Sequence, residues 1–127
     1  MAAQDTRPYF LNLLKIRLPI SAVVSIMHRV SGVLMFAAIP LIIYLFELSL
    51  RNAEGFAQVT EWLSHPLLRL TMLLLIAALL HHLFAGIRFL LTDFNIGLEK
   101  SQSRISAWLV IIAEVLVLLW ITIRMCS

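Results

Sequence analysis

Apolar residues fill three long stretches of this chain, and two polar stretches separate them. None of the three shows the period-two alternation of a barrel strand, so each predicts a helix. The first runs from about Ser21 to Leu50, long enough to cross a bilayer with its first turns in the headgroup layer. Pro40 falls inside it and predicts a kink unless a neighbour satisfies the freed carbonyl. Arg51 to His65 (R-N-A-E-G-F-A-Q-V-T-E-W-L-S-H) is the only long polar run, which makes it the first loop, with room for a short interfacial helix anchored by Trp62. The second span is expected from about Pro66 to Leu91, its proline suiting a first helical turn. Thr92 to Arg104 forms the second loop and Ile105 to Ile123 the third span. Neither a fourth span nor an internal repeat is visible. The expected fold class is an all-α membrane protein with three transmembrane helices, residues 1–127 forming one domain.

Composition supports that class. Of 127 residues, 61% are hydrophobic and 13% charged, with a mean hydropathy of +0.96; a soluble domain carries about 25% charged residues. Arg7-Pro8 and Pro19 interrupt any early helix, and no apolar run followed by a small-residue cleavage site precedes the first span. An uncleaved amino terminus in a bacterial plasma membrane is therefore expected. The formal charge of +3 is first explained by topology, not by nucleic acid, for which no binding is expected. Arg7, Lys15, Arg17, Arg29, Arg88, Lys100 and Arg104 fall on the side of the amino terminus and second loop, against Arg51, Arg69 and Arg124 on the other. That bias puts the amino terminus in the cytoplasm. It also puts Arg29, Arg88 and Asp93 at one membrane face, so the polar ends of spans one and two can meet. The single cysteine, Cys126, rules out an internal disulfide, a C-x-x-C-H haem attachment and a cysteine-ligated cluster within this chain.

Apolar packing alone does not account for Leu79 to Phe94, L-L-H-H-L-F-A-G-I-R-F-L-L-T-D-F. At about 100° per residue, Gly86 and Asp93 lie within about 40° of the direction of His82, so one stripe carries all three; His81 points about 100° away. His82 sits roughly 16 Å below Asp93, about half the hydrocarbon thickness. Two readings are open on spacing alone: the imidazole hydrogen-bonds a neighbouring helix, or it ligates a non-covalent b-type haem, with Gly86 leaving room for a flat macrocycle. Haem iron of that kind takes two axial ligands. His81 cannot reach the same iron from the opposite side and His28 is expected nearer the surface, so the second ligand is expected from another polypeptide. On span one, Ser21, Ser25, Arg29 and Gly32 share a face. Ser25 and Arg29 are either a packing face with a snorkelling arginine or the donors of a quinone pocket, a hydroxyl and a cation one turn apart. Glu114, near the middle of span three, is expected to be protonated or hydrogen-bonded to a partner helix, with a proton path as the alternative. Glu47 is expected to reach headgroups.

The run S-I-M-H-R-V-S-G from Ser25 to Gly32, followed by H-L-F-A-G-I-R-F-L-L-T-D from His82 to Asp93, resembles the cytochrome b subunit of succinate dehydrogenase, a membrane anchor of respiratory complex II. Arg7-Pro8 and R-L-P-I from Arg17 to Ile20 are similar to the same family's amino-terminal pattern, so the likeness covers most of the chain. Three positions depart from that pattern: Thr92 where an aromatic is usual, Asn95 in place of a small residue and Phe89 where histidine is frequent. The resemblance implies half of a heterodimeric haem-binding bundle, with His82 as axial ligand to the iron of haem b and the other ligand from a second hydrophobic anchor subunit. It implies Ser25 and Arg29 at a ubiquinone site beside an iron-sulfur subunit, His28 and Arg29 near the haem propionates, and Asp93 in support. The flavin chemistry of succinate oxidation would belong to a separate flavoprotein subunit. A cofactor-free scaffold and the anchor of a fumarate reductase are the rival readings.

Overall fold

The computed structural model describes residues 18–126, and they form four helices: α1 Ile20–Arg51, α2 Ala53–Ser64, α3 Pro66–Asp93 and α4 Lys100–Cys126. Arg7-Pro8, Lys15 and Arg17, used above for the family pattern and the charge count, lie outside the described residues. Three helices, α1, α3 and α4, are long and apolar enough to cross a membrane. The chain is thus an all-α, multi-pass membrane protein. Each span is longer than its apolar run: α1 ends at Arg51, α3 at Asp93, and α4 begins at Lys100 instead of Ile105. The reason is that polarity marks the edge of the hydrocarbon, not the end of a helix. Ser101, Gln102 and Arg104 are permissible helix residues, and the Ser103 amide already bonds the Glu99 carbonyl at 2.8 Å. Helices of 32 and 28 residues reach about 48 and 42 Å, so they project beyond a hydrocarbon layer about 30 Å thick or tilt within it. α1 runs through Pro40 as one helix.

The ends are set by local chemistry. Asn52 turns the chain between α1 and α2, its Oδ1 accepting the Gly55 amide at 2.7 Å. Gly55 is obligatory there, since a Cβ would sit on the Leu48 carbonyl. α2 fills the predicted loop; its Val59 joins Leu45 and Leu48 of α1, with Met72 of α3 alongside, and Trp62 lies near the Tyr44 ring at 6.5 Å. His65 caps α3, its Nδ1 accepting the Leu67 amide at 3.4 Å, ahead of Pro66 in the first turn. At the other end of α3, the Asn95 amide bonds the Thr92 carbonyl and the Ile96 amide the Leu91 carbonyl, both at 3.0 Å. That pair closes a Schellman turn, which needs a left-handed residue, and Asn95 supplies it at φ 62°.

Contacts pair early α1 residues with late α3 residues, Val24 with Ala85, and late with early, Leu48 with Met72 across Val59, so the two helices are antiparallel. Where α1, α3 and α4 converge, the core is small: Val24, Ala85 and Ala107 are fully buried and Val110 nearly so. Small residues let backbones approach where lipid offers no hydrophobic drive to hold helices together. The outer surface is apolar, with Phe36, Phe46, Leu109 and Trp120 all exposed.

Candidate cofactor-binding site

Successive turns of α1 present Val24, His28, Ser31 and Gly32 to α3, which answers with His81, His82, Ala85 and Gly86. Each helix carries a ring and, one turn on, a glycine opposite the other helix's ring. A Cβ on Gly32 would lie 3.1 Å from His82 Cε1, and one on Gly86 would lie 3.4 Å from His28 Nε2. The two imidazoles fill the space so provided and stack, ring centroids 4.0 Å apart and planes 13° from parallel, with the Phe89 edge 5.2 Å from His28. The expectation that His28 lies nearer the surface is therefore corrected: it is level with His82. Starting at Ile20 places His28 about 12 Å along α1, less than one turn from the roughly 16 Å between His82 and Asp93.

The hydrogen bonds fix which nitrogen of His82 is bare. Its Nδ1 lies 3.1 Å from the His28 carbonyl oxygen, which can only accept, so Nδ1 carries the proton. Ser31 Oγ donates to the same carbonyl at 2.8 Å and sits 3.3 Å from Nδ1. Nε2 of the neutral ring then presents its lone pair. No hydrogen bond occupies it, and since no buried side-chain nitrogen or oxygen among the described residues lacks a partner, Nε2 is accessible at the bundle surface. An imidazole anchored at Nδ1 by a carbonyl with Nε2 open is the form that ligates a metal. No three metal-ligating side chains converge among the described residues.

Ser31 was missed in the sequence because the polar stripe chosen there ran through Ser21, Ser25 and Arg29; its signal was the three-residue spacing from His28. Ser25 is half-buried and Arg29 exposed, and neither side chain is hydrogen-bonded among the described residues. Asp93 is exposed at the end of α3, remote along the axis from His82. The structure thus brings His28 to His82 and leaves Asp93 apart. Arg88 turns to α4, where Nε donates to Ser106 Oγ at 2.9 Å and Nη2 to Ser103 Oγ at 2.8 Å. It is 6% exposed, and the two serines, three residues apart on α4, supply acceptors for its buried guanidinium. Glu47, expected among headgroups, forms a two-bond ion pair with Arg51 one turn on, at 2.8 and 2.9 Å. Glu114 finds the helix partner expected of it: its Oε2 lies 2.8 Å from Nδ1 of His81, whose Nε2 faces the Val24 carbonyl at 3.3 Å.

Three membrane-length helices, with an imidazole between α1 and α3 whose Nε2 bonds no described residue, define a multi-pass helical membrane protein. The family model for succinate dehydrogenase/fumarate reductase transmembrane subunits matches residues 3–121, and the chain belongs to that family. It is 38% identical over 120 residues to the succinate dehydrogenase cytochrome b556 subunit of Coxiella burnetii, covering 91% of this chain and 96% of the relative. The subunit of the same name from Paracoccus denitrificans is 34% identical, with 88% and 86% covered. A succinate dehydrogenase hydrophobic membrane anchor subunit from Archaeoglobus fulgidus is 29% identical over 75 residues, with 59% and 64% covered. The resemblance read from the two motifs is established by these matches: this is a membrane-anchor subunit of the succinate dehydrogenase type, part of an oxidoreductase complex.

Proposed function

We propose that this chain is the cytochrome b anchor of a succinate:ubiquinone oxidoreductase, and that His82 Nε2 is one axial ligand of a b-type haem. The observation that carries the reading is the hydrogen bond from His82 Nδ1 to the His28 carbonyl, which leaves Nε2 as a fixed, accessible lone pair. Bound haem supplies one-electron transfer within the membrane. This chain's part is to hold and orient one donor. His28 would not serve as a second iron ligand beside His82, because the two rings lie flat together with centroids 4.0 Å apart. The second ligand is assigned to a sister anchor subunit, the two chains making the heterodimeric bundle. The cytochrome b556 name borne by the Coxiella and Paracoccus relatives supports haem here.

His28 and Arg29 are assigned to the propionates, since both ring nitrogens of His28 and the Arg29 guanidinium are free of bonds to described residues. Ser25 and Arg29 are assigned to ubiquinone: one turn apart on α1, they offer a hydroxyl and a cation to carbonyl oxygens that gain negative charge on reduction. Asp93 supports the same end of the bundle. The remaining partners are an iron-sulfur subunit that delivers electrons and a flavoprotein that oxidises succinate. The whole chain acts as one anchor domain in the bacterial inner membrane, amino terminus cytoplasmic.

His82→Ala in the purified complex is expected to remove the b-type reduced-minus-oxidised absorbance; an unchanged spectrum and haem content leave a scaffold. Arg29→Ala is expected to lower quinone reduction at least tenfold while succinate oxidation by a soluble dye stays near wild type. Equal loss of both activities assigns Arg29 to assembly instead.

A further inference from the structure

His81 and Glu114 have no part in the function proposed above, yet they are two ionisable residues deep in the membrane, with side chains only 8% and 19% exposed. The Val24 carbonyl can only accept, so His81 Nε2 carries a proton. One further proton lies between His81 Nδ1 and Glu114 Oε2, 2.8 Å apart. Whichever atom holds it, the pair as a whole is neutral. Such a pair can be buried, whereas either partner left alone in this setting leaves a costly unsatisfied group.

In lipid, packing and interhelical hydrogen bonds decide how far each helix is turned about its axis. His81 bonds α1 on one side and α4 on the other, so it fixes the azimuth of α3 from two directions. His82 is the next residue, displaced by about 100° around the same helix, and the hydrogen bonds to its ring come from α1 alone. A rotation of α3 by about 10° carries a side-chain tip, 5 to 6 Å from the axis, through about 1 Å. An error of that size is enough to spoil a functional site.

We infer that the His81–Glu114 pair is a latch that orients His82, making Glu114 a positioning residue that acts through His81 on the iron-binding imidazole. The inference rests on the haem reading of His82. It explains why an acid stands in the apolar middle of α4: a neutral side chain that could not bond His81 Nδ1 would leave α3 tied to α1 only at this level.

The test compares the purified complex carrying Glu114→Gln, Glu114→Leu, His81→Phe or His82→Ala. Haem per complex is measured together with the ferric low-spin EPR spectrum, whose principal g values follow the orientation of the axial imidazole planes and not the amount of complex recovered. Glu114→Gln keeps a partner for His81 Nδ1 and is expected to give the wild-type spectrum. Glu114→Leu and His81→Phe are expected to retain at least half the haem while the highest g feature shifts and broadens. Wild-type spectra from both overturn the latch. Failure of both to assemble, with the Gln variant intact, assigns the pair to folding and overturns it too; if one assembles, its spectrum decides. If His82→Ala keeps the haem spectrum, the ligand assignment fails and the latch with it. If His82→Ala abolishes that spectrum and Glu114→Leu leaves it untouched, the latch alone fails.

Discussion

At the scale of single residues, the site depends on what two glycines leave out. Gly32 faces the His82 ring so closely that a Cβ would lie 3.1 Å from Cε1, so Gly32→Val should push α1 away from α3. The expected cost is about 1–3 kcal/mol and, on the haem reading, haem per complex falls alongside the melting temperature in detergent. Gly86→Ala should be milder on both measures, because its Cβ would meet His28 Nε2 at an ordinary 3.4 Å. Ser31→Ala separates stability from ligation. It removes one hydroxyl bond worth about 0.5–1.5 kcal/mol, but the His28 carbonyl still takes the Nδ1 proton, so haem content should hold. His82 was legible in the sequence from its depth and its stripe. Its partner was not, because a polar stripe says nothing about which face of α1 meets α3. Arg29 lies about 100° and Ser25 about 60° round α1 from His28, so that stripe overlaps only in part with the His28 and Ser31 face that makes the contact.

Among the elements, the three spans were readable because apolar runs of that length have no other use in a chain this poor in charge. Their ends were less so. Hydropathy reports where the hydrocarbon stops, while capping determines where the helix stops, and at α3 the two differ by the two residues up to Asp93. The Asn95 departure from the family pattern has a backbone explanation: asparagine is among the few residues with a Cβ that readily adopt the left-handed conformation the Schellman turn requires. Asn95→Ala should therefore cost about 1 kcal/mol and lower the melting temperature of the complex, while Asn95→Gly should leave it unchanged or slightly raised. Thr92, another departure, returns its hydroxyl to the Phe89 carbonyl at 2.7 Å, so the change of residue leaves no polar group stranded at the end of the span.

For the molecule as a whole, polar side chains decide which spans adhere. His28 and His82 join α1 to α3, and Arg88 with Ser103 and Ser106 joins α3 to α4. Arg88→Leu should weaken the second seam by about 1.5–3 kcal/mol, seen as faster proteolysis of the second loop and a lower melting temperature. On the haem reading, the redox spectrum should survive in the complex that remains. That Arg88 turns towards α4 was hidden because the charge count fixes the membrane face on which a residue lies but not its neighbour around the bundle. The pairing of Glu114 with His81 was likewise not legible, although their depths agree. Counted from Lys100 and Asp93 at the same face, they lie about 21 and 18 Å deep, but equal depth does not say which faces of α3 and α4 meet.

The Nε2 nitrogen of His82 bonds no described residue of its own bundle, and on the haem reading this has a thermodynamic corollary. Iron capture and docking of the sister chain form a single linked equilibrium, in which each tightens the other by the same factor. Cells starved of porphyrin should then accumulate the two anchors apart, and an excess of either anchor should draw haem no better than the scarcer one permits.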